Sequence, residues 1–500
     1  MTDLIAHLAL GFSVAFSPLN MFLCFVGAMV GTLIGVLPGI GPVATIAMLL
    51  PITFGLQPIG ALIMLAGIYY GAQYGGSTTS ILINIPGESS SVVTTIDGFQ
   101  MALRGRAGPA LAIAAIGSFF AGCVSTVLVA ALGVPLTAIA LKFGPAEYFS
   151  LMVLGLIFAV VLAKGSVPKA IAMTLLGLLL SMVGSDLETG AARMSFGIPE
   201  LADGIGFVNV AMGVFGFAEI LRNLEATEHR DIVQAKVTGL MPTRADLITS
   251  APAIARGTIL GSILGILPGG GAIIASFAAY TFEKRMAKDP SRFGKGAIEG
   301  VAAPESANNA AAQTSFIPLL TLGIPPNAVM ALMVGAMTIH GIVPGPQIMT
   351  KQPDLFWGLI CSMWLGNLML VVINLPLVGL WVRLLRVPYR HLFPAILIFC
   401  CIGVYSISNS PVDVVITAVF ALVGYWLVKH DFEPAPLLLG LVLGPLMEEN
   451  LRRAMLIARG DASVFITRPI SAILLQVALL LLVLAVLPAI SKSREKVFVE

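Results

Sequence analysis

The sequence predicts an all-α, polytopic membrane protein with about twelve membrane-embedded segments, built as an inverted repeat that carries re-entrant helical hairpins. Three observations lead there: extreme apolarity, long apolar runs without alternation, and a glycine–proline motif that occurs twice. Of 500 residues 57% are hydrophobic and only 11% are charged, with a mean hydropathy of +0.96. Soluble domains carry roughly 25% charged residues, so too little charge is present to cover this much apolar surface in water. Lipid is therefore the solvent, which excludes a cytosolic enzyme, a nucleic-acid binder, a disordered scaffold and a secreted disulfide protein. The net charge of +2 gives no reason to expect a polyanionic partner. The N-terminal MTDLIAHLAL lacks a basic leader region and a small-residue cleavage site and reads as the start of the mature chain.

A bilayer span needs about 20 mostly apolar residues. Continuous runs of this kind cover 107–133, 146–163, 167–184, 205–221, 355–382, 392–409, 411–428, 434–447 and 469–490. Continuous runs argue for helices, since a membrane barrel would alternate. Three further regions, 20–86, 251–282 and 304–345, are as apolar but are broken by many of the 52 glycines and 31 prolines. Broken backbone at membrane depth is tolerated only where protein or a wet cavity satisfies the freed polar groups. These regions therefore mark where solute should bind.

The breaks repeat. Residues 31–41 read GTLIGVLPGIG and residues 261–271 read GSILGILPGGG, identical at six of eleven positions. A second break follows each copy, with Asn84-Ile85-Pro86 opposite Gly323-Ile324-Pro325 after a shift of several residues. The chain divides into homologous halves, 1–250 and 251–500, within one membrane domain. Lys and Arg collect in cytoplasmic loops. None occurs before Arg104, after the second break of half one, whereas in half two they flank the LPGGG motif and only Lys351 follows the second break closely. That reversal is what inversion through the membrane plane predicts. Basic clusters on both sides of 257–282 make it a re-entrant hairpin. Its first limb, Gly257 to Leu267, is about 16 Å of helix, half of an apolar core of about 30 Å. The limb from Asn20 to Leu37 is longer. The C-terminal third gives no orientation: Arg452, Arg453, Arg459 and Arg468 cannot share a side with Lys492, Arg494 and Lys496 if helix 469–490 separates them.

At each tip a helix restarts after glycines, with Pro42 at a position suited to a helix start. A helix N-terminus presents free N–H groups and a positive dipole end, and glycine lets an anion approach. Gly39, Gly41, Gly269, Gly270 and Gly271 are therefore candidate ligands for a carboxylate. Gly31, Gly35, Gly261 and Gly265 lie on the limbs, where small residues serve helix packing. The second breaks add Ser77, Thr78, Asn84, Pro86 and Gly87 in half one. Half two adds Ser306, Asn308, Asn309 and Pro325. All of these are candidates for cargo or a cation. Hydroxyls, amides, carboxylates and unwound carbonyls suit a small hard cation, which makes Glu88, Glu305, Thr314 and Ser315 candidate coupling residues. Asp97, Glu147, Asp186, Glu188 and Arg193 are expected in loops, with structural roles. Asp413 caps a helix after Pro411.

No metal site is expected, because the five cysteines and five histidines are scattered without ligand spacing. The absence of G-x-x-x-x-G-K-[ST] excludes ATP hydrolysis by this motif, and no nucleophile–base signature marks an enzyme. Neither hairpin contains Lys or Arg. An anionic cargo would have to be met by dipoles, amides and a co-bound cation, which favours symport.

The duplicated G-x-x-x-G-x-L-P-G-x-G, the I-P-G-E-S at 85–89 and the A-A-P-E-S-A-N-N-A-A at 302–311 resemble the large membrane subunit of the tripartite tricarboxylate transporters, over nearly the whole chain. The resemblance implies a multi-pass secondary transporter of the bacterial inner membrane. It also implies a small membrane subunit and a periplasmic solute-binding protein as partners, and uptake of carboxylates such as citrate with Na⁺ or H⁺ as coupling ion and no other cofactor. Two other classes fit the composition: a membrane-embedded enzyme using Glu88 or Glu305, and a passive anion channel.

Overall fold

The computed structural model describes residues 2–37, 41–163, 166–186, 189–225, 239–267, 271–384 and 389–486. Among these the chain is helical, apart from one two-stranded hairpin at Gly184–Ser185 and Ala192–Arg193. The first third comprises α1 (Thr2–Ala15), α2 (Pro18–Val36), α3 (Pro42–Thr53), α4 (Pro58–Ile83), α5 (Val92–Leu103), α6 (Ala107–Ala140), α7 (Pro145–Leu162) and α8 (Val167–Ser181). Next come α9 (Phe207–Ala211), continued through a π-helical stretch into α10 (Ala218–Glu225), then α11 (Arg244–Ile266), α12 (Gly271–Met286), α13 (Glu299–Thr314), α14 (Phe316–Leu322), α15 (Ala328–Ile339) and α16 (Gln347–Lys351). The last third holds α17 (Pro353–Asn374), α18 (Val378–Leu384), α19 (Tyr389–Ser408), α20 (Pro411–Lys429), α21 (Ala435–Ile457), α22 (Val464–Thr467) and α23 (Pro469–Val486). Six of these helices are long and apolar enough to cross a membrane, and shorter apolar helices accompany them. The protein is thus an all-α polytopic membrane protein.

Two helix pairs form the centre, and the same packing builds both. In α2, a Cβ on Gly27, Gly31 or Gly35 would strike the carbonyl oxygens of Met64, Ile68 and Ala72 in α4. In α11, a Cβ on Gly257, Gly261 or Gly265 would strike those of Ala303, Ala307 and Ala311 in α13. Every fourth residue is glycine because backbone meets backbone at these crossings. The central helix α4 then meets α13 and its continuation α14 in antiparallel sense. Tyr70 packs on Phe316, with ring centroids 6.0 Å apart. Further along α4, Ser77 reaches back along the chain to Glu305 of α13.

Several expectations change here. Arg256 does not end the re-entrant limb. It pairs with Glu283 of α12 (2.9 Å from Nε), and α11 continues below that pair to Arg244, where Arg106 binds Asp246 (2.5 Å). The limb is therefore 23 residues long. Ser77–Ser80 and Glu305–Thr314 are helical rather than unwound, and the extended interruptions fall at 84–88 and 323–327. Asp97 is not in a loop but fully buried on α5. Glu147 sits in the first turn of α7, where Arg468 binds it (2.5 Å). Glu188 lies outside the described residues.

Several of the C-terminal arginines are held by acids. Arg452 pairs with Asp186 and Glu448 (2.6 Å each), Arg193 with Glu448 (2.7 Å), and Arg453 with Glu449 (2.5 Å). Lys492, Arg494 and Lys496 lie outside the described residues.

Candidate functional site

The two interruptions have one backbone design. The first begins at Asn84, in the left-handed region at φ 58°, ψ 26°, and the second at Gly323, at φ 74°, ψ 17°. Each continues as an extended segment and ends on an extended residue that heads the next helix. That residue is Glu88 (φ −146°, ψ 166°) in the first and Asn327 (φ −153°, ψ 173°) in the second. The extended segment runs back along its own helix. Gly87 lies against Gly76 and Gly35, and the Ser90 hydroxyl lies 2.6 Å from the Gln73 side-chain amide. Consequently α5 starts partway along α4 and not at its end.

Glu88 and Asn327 come together at Tyr69 of α4. The Tyr69 hydroxyl lies beside Ser315 and Asn327, with Glu88 in its surroundings. Asn327 Oδ1 accepts from the Met330 N–H (2.9 Å) and so caps α15. Its Nδ2 is buried without a hydrogen-bond partner among the described residues, as are both amide atoms of Gln313. Gly271, the first residue of α12, has φ +50° and faces Asn327. Two helix starts, α12 and α15, thus converge beside a carboxylate and a phenol.

Behind this junction lies a second polar cluster. Glu305 is completely buried on α13. It accepts from Ser77 (2.5 Å), from Thr94 of α5 and from Asn308 Nδ2 (3.3 Å). Its three donors are neutral, and among the described residues no basic side chain pairs with it. Asn309 Nδ2 donates to Ser118 of α6 (2.7 Å) and to the Glu305 carbonyl (3.1 Å). A small enclosed cavity lined by Ser77, Thr78, Ser118 and Asn374 adjoins the cluster. On the other side, Ser90 donates to a Glu88 carboxylate oxygen. Ser80 joins the same seam by donating to the Ser91 carbonyl (3.0 Å).

The structure therefore brings together Ser77, Glu305, Asn308 and Asn309 in one cluster. Glu88, Ser315 and Gly271 form the other. It sets several candidates apart. Asn84 is exposed, and its left-handed conformation closes α4. Pro325 is buried and Pro86 half-buried within the extended segments. Gly41 caps α3 in extended conformation with open space around it. Ser306 and Thr314 donate to carbonyls of their own helix (2.8 and 3.0 Å). Gly39, Gly269 and Gly270 lie outside the described residues. Sequence reasoning missed Tyr69, Gln73, Thr94, Ser118 and Asn327. Asn327 alone had a usable signal, because it occupies in the second break the place of Glu88 in the first.

Comparison with known proteins supplies the family. Residues 21–439 match the model of the tripartite tricarboxylate transporter TctA family. The chain is 61% identical, over the whole of both chains, to an uncharacterized 52.8 kDa protein in the TAR-I ttuC' 3' region of Agrobacterium vitis. It is 64% identical over 240 residues to an uncharacterized protein in the TAR-II ttuC' 3' region of the same organism, covering 48% of this chain and 99% of that one. No solved structure matches. The chain belongs to the TctA family of tripartite tricarboxylate transporters.

Proposed function

We propose that this TctA-family chain is the translocating subunit of a secondary importer of small carboxylates, tricarboxylates such as citrate among them, driven by a Na⁺ or H⁺ gradient. It works in the bacterial inner membrane with a small membrane subunit and a periplasmic solute-binding protein. Its halves, 1–250 and 251–500, are inverted copies. The repeated glycine crossings and the antiparallel meeting of α4 with α13 and α14 support that reading.

The observation that carries the proposal is the junction of Glu88, Tyr69, Asn327 and Gly271. Free N–H groups at the starts of α12 and α15, with the Asn327 and Gln313 amides, suit a carboxylate. Gly39, Gly41, Gly269 and Gly270 are proposed, from the sequence motif, as further backbone ligands for the cargo. Among the described residues no Lys or Arg pairs with these groups, and Glu88 stands beside the bound cargo. Two carboxylates cannot share so buried a place without a proton or cation between them, so cargo binding requires the coupling ion. Glu305, with Ser77, Thr94 and Asn308, forms a second oxygen-rich cage. Turning the Asn308 amide over would add a further oxygen ligand for a cation.

Uptake of labelled citrate into vesicles holding the chain and its partners tests this. Accumulation should need an imposed Na⁺ or pH gradient and should fail in Glu88→Gln. Gradient-independent flux would mean a channel, and chemically altered cargo an enzyme.

A further inference from the structure

Two helices that start at the central junction, α5 and α12, end together on the face that carries Arg106, Arg256 and Arg292. They are tied side by side. Tyr280 of α12 donates to Asp97 of α5 (2.9 Å), and Val93 packs with Tyr280 and Phe293. Their outer surface is strongly apolar. Ile96 is 40%, Leu103 53%, Phe277 41% and Phe282 40% exposed. The C-terminal ends of both helices are basic, with Arg104 closing α5 and Lys284, Arg285 and Lys288 exposed at the end of α12. The acids of this face are committed elsewhere: Asp246 to Arg106, Glu283 to Arg256 and Glu299 to Arg292. Asp289 lies near Arg292 and Lys295. Among the described residues Arg104, Lys284, Arg285 and Lys288 form no ion pair.

We propose that this α5–α12 edge binds an anionic phospholipid, its acyl chains along the Ile96–Phe277 surface and its phosphate among Arg104, Lys284, Arg285 and Lys288. An apolar stretch capped by unpaired cations matches such a lipid in shape and in charge. A second copy of the chain related by a two-fold axis along the membrane normal would bring like charges together. A soluble anion would leave the apolar length unused. Because α5 and α12 carry the helix starts of the central junction, a lipid there steadies the elements that hold cargo.

The test is native mass spectrometry of the full-length chain titrated with phosphatidylglycerol or phosphatidylcholine. Phosphatidylglycerol should be retained and phosphatidylcholine lost. The K284Q/R285Q/K288Q variant should bind phosphatidylglycerol on the order of 100-fold more weakly, each basic side chain near an anionic lipid surface contributing a factor of about five. The K142Q/K351Q/R459Q variant, with the same charge change elsewhere, should bind as wild type does. In the unmodified protein, raising salt should weaken retention, a readout that needs no variant to fold. Equal retention of both lipids, equal loss in both variants, salt-independent retention, or full displacement by inorganic phosphate would each overturn the proposal.

Discussion

The interruption at 84–88 and the one at 323–327 share a left-handed opening residue, an extended return and an extended residue heading the next helix. They differ in what that last residue is: a carboxylate at Glu88, an amide at Asn327. The asymmetry continues away from the junction. Ser77 donates to Glu305 where α4 meets α13, but the other end of that contact is the apolar pair Tyr70 and Phe316. Backbone architecture was used twice, but only the first break ends on a carboxylate. Steric fit between glycines and carbonyls is indifferent to which half supplies it. A carboxylate in lipid costs several kcal/mol unless it is neutralised or hydrogen-bonded, so each extra copy needs its own set of donors.

The largest effect should come from the shared architecture. Gly31→Val and Gly261→Val each force a side chain into a facing backbone carbonyl, of Ile68 and of Ala307. Overpacking of this kind costs about 1–3 kcal/mol or more. Both should abolish recovery of monodisperse protein by size-exclusion chromatography, and tolerance of one alone would break the equivalence of the halves. Asp97→Ala comes next. It strips the acceptor from the N–H groups of Gly296 (2.7 Å) and Ala297 (2.8 Å) and from the Tyr280 hydroxyl. Loss of roughly 3 kcal/mol is expected, visible as a lower thermal unfolding temperature.

Glu305→Gln tests chemistry that only one half carries. Folding should survive while uptake falls at least about tenfold, equivalent to about 1.4 kcal/mol. Uptake at the wild-type rate would remove Glu305 from the coupling scheme. The smallest change in stability, within about 0.5 kcal/mol, is expected for Glu88→Asn, since Asn is a good helix cap and the swap makes the first break resemble the second. Gradient-driven accumulation should nevertheless disappear. Its persistence would show that the carboxylate is not what distinguishes the two breaks.

Much of this fold was legible in the chain. The helices α6, α7, α8, α17, α19, α20, α21 and α23 fall close to the apolar runs that announce them, because lipid solvation is decided residue by residue. The glycine motif announced two hairpins, and Ile-Pro marked both later interruptions, because Gly and Pro act on their own backbone. The site was legible only in part. Glu305 stood out as a carboxylate in an apolar stretch, but its partner Thr94 lies 211 positions away and carries no motif. Arg256 reads in sequence as the edge of the limb, but Glu283 of α12 neutralises it within the helix packing.

Composition and local pattern by themselves determined the solvent, most of the helices and the repeated glycine motif. Tertiary structure alone decided which polar groups meet. A serine or threonine in a membrane helix can satisfy itself on its own backbone, as Ser306 and Thr314 do, or turn to a neighbouring helix, as Ser77 and Thr94 do toward Glu305. Both choices are open to the isolated helix. Helix packing selects between them, because a buried carboxylate gains more from those hydroxyls than its own helix can offer.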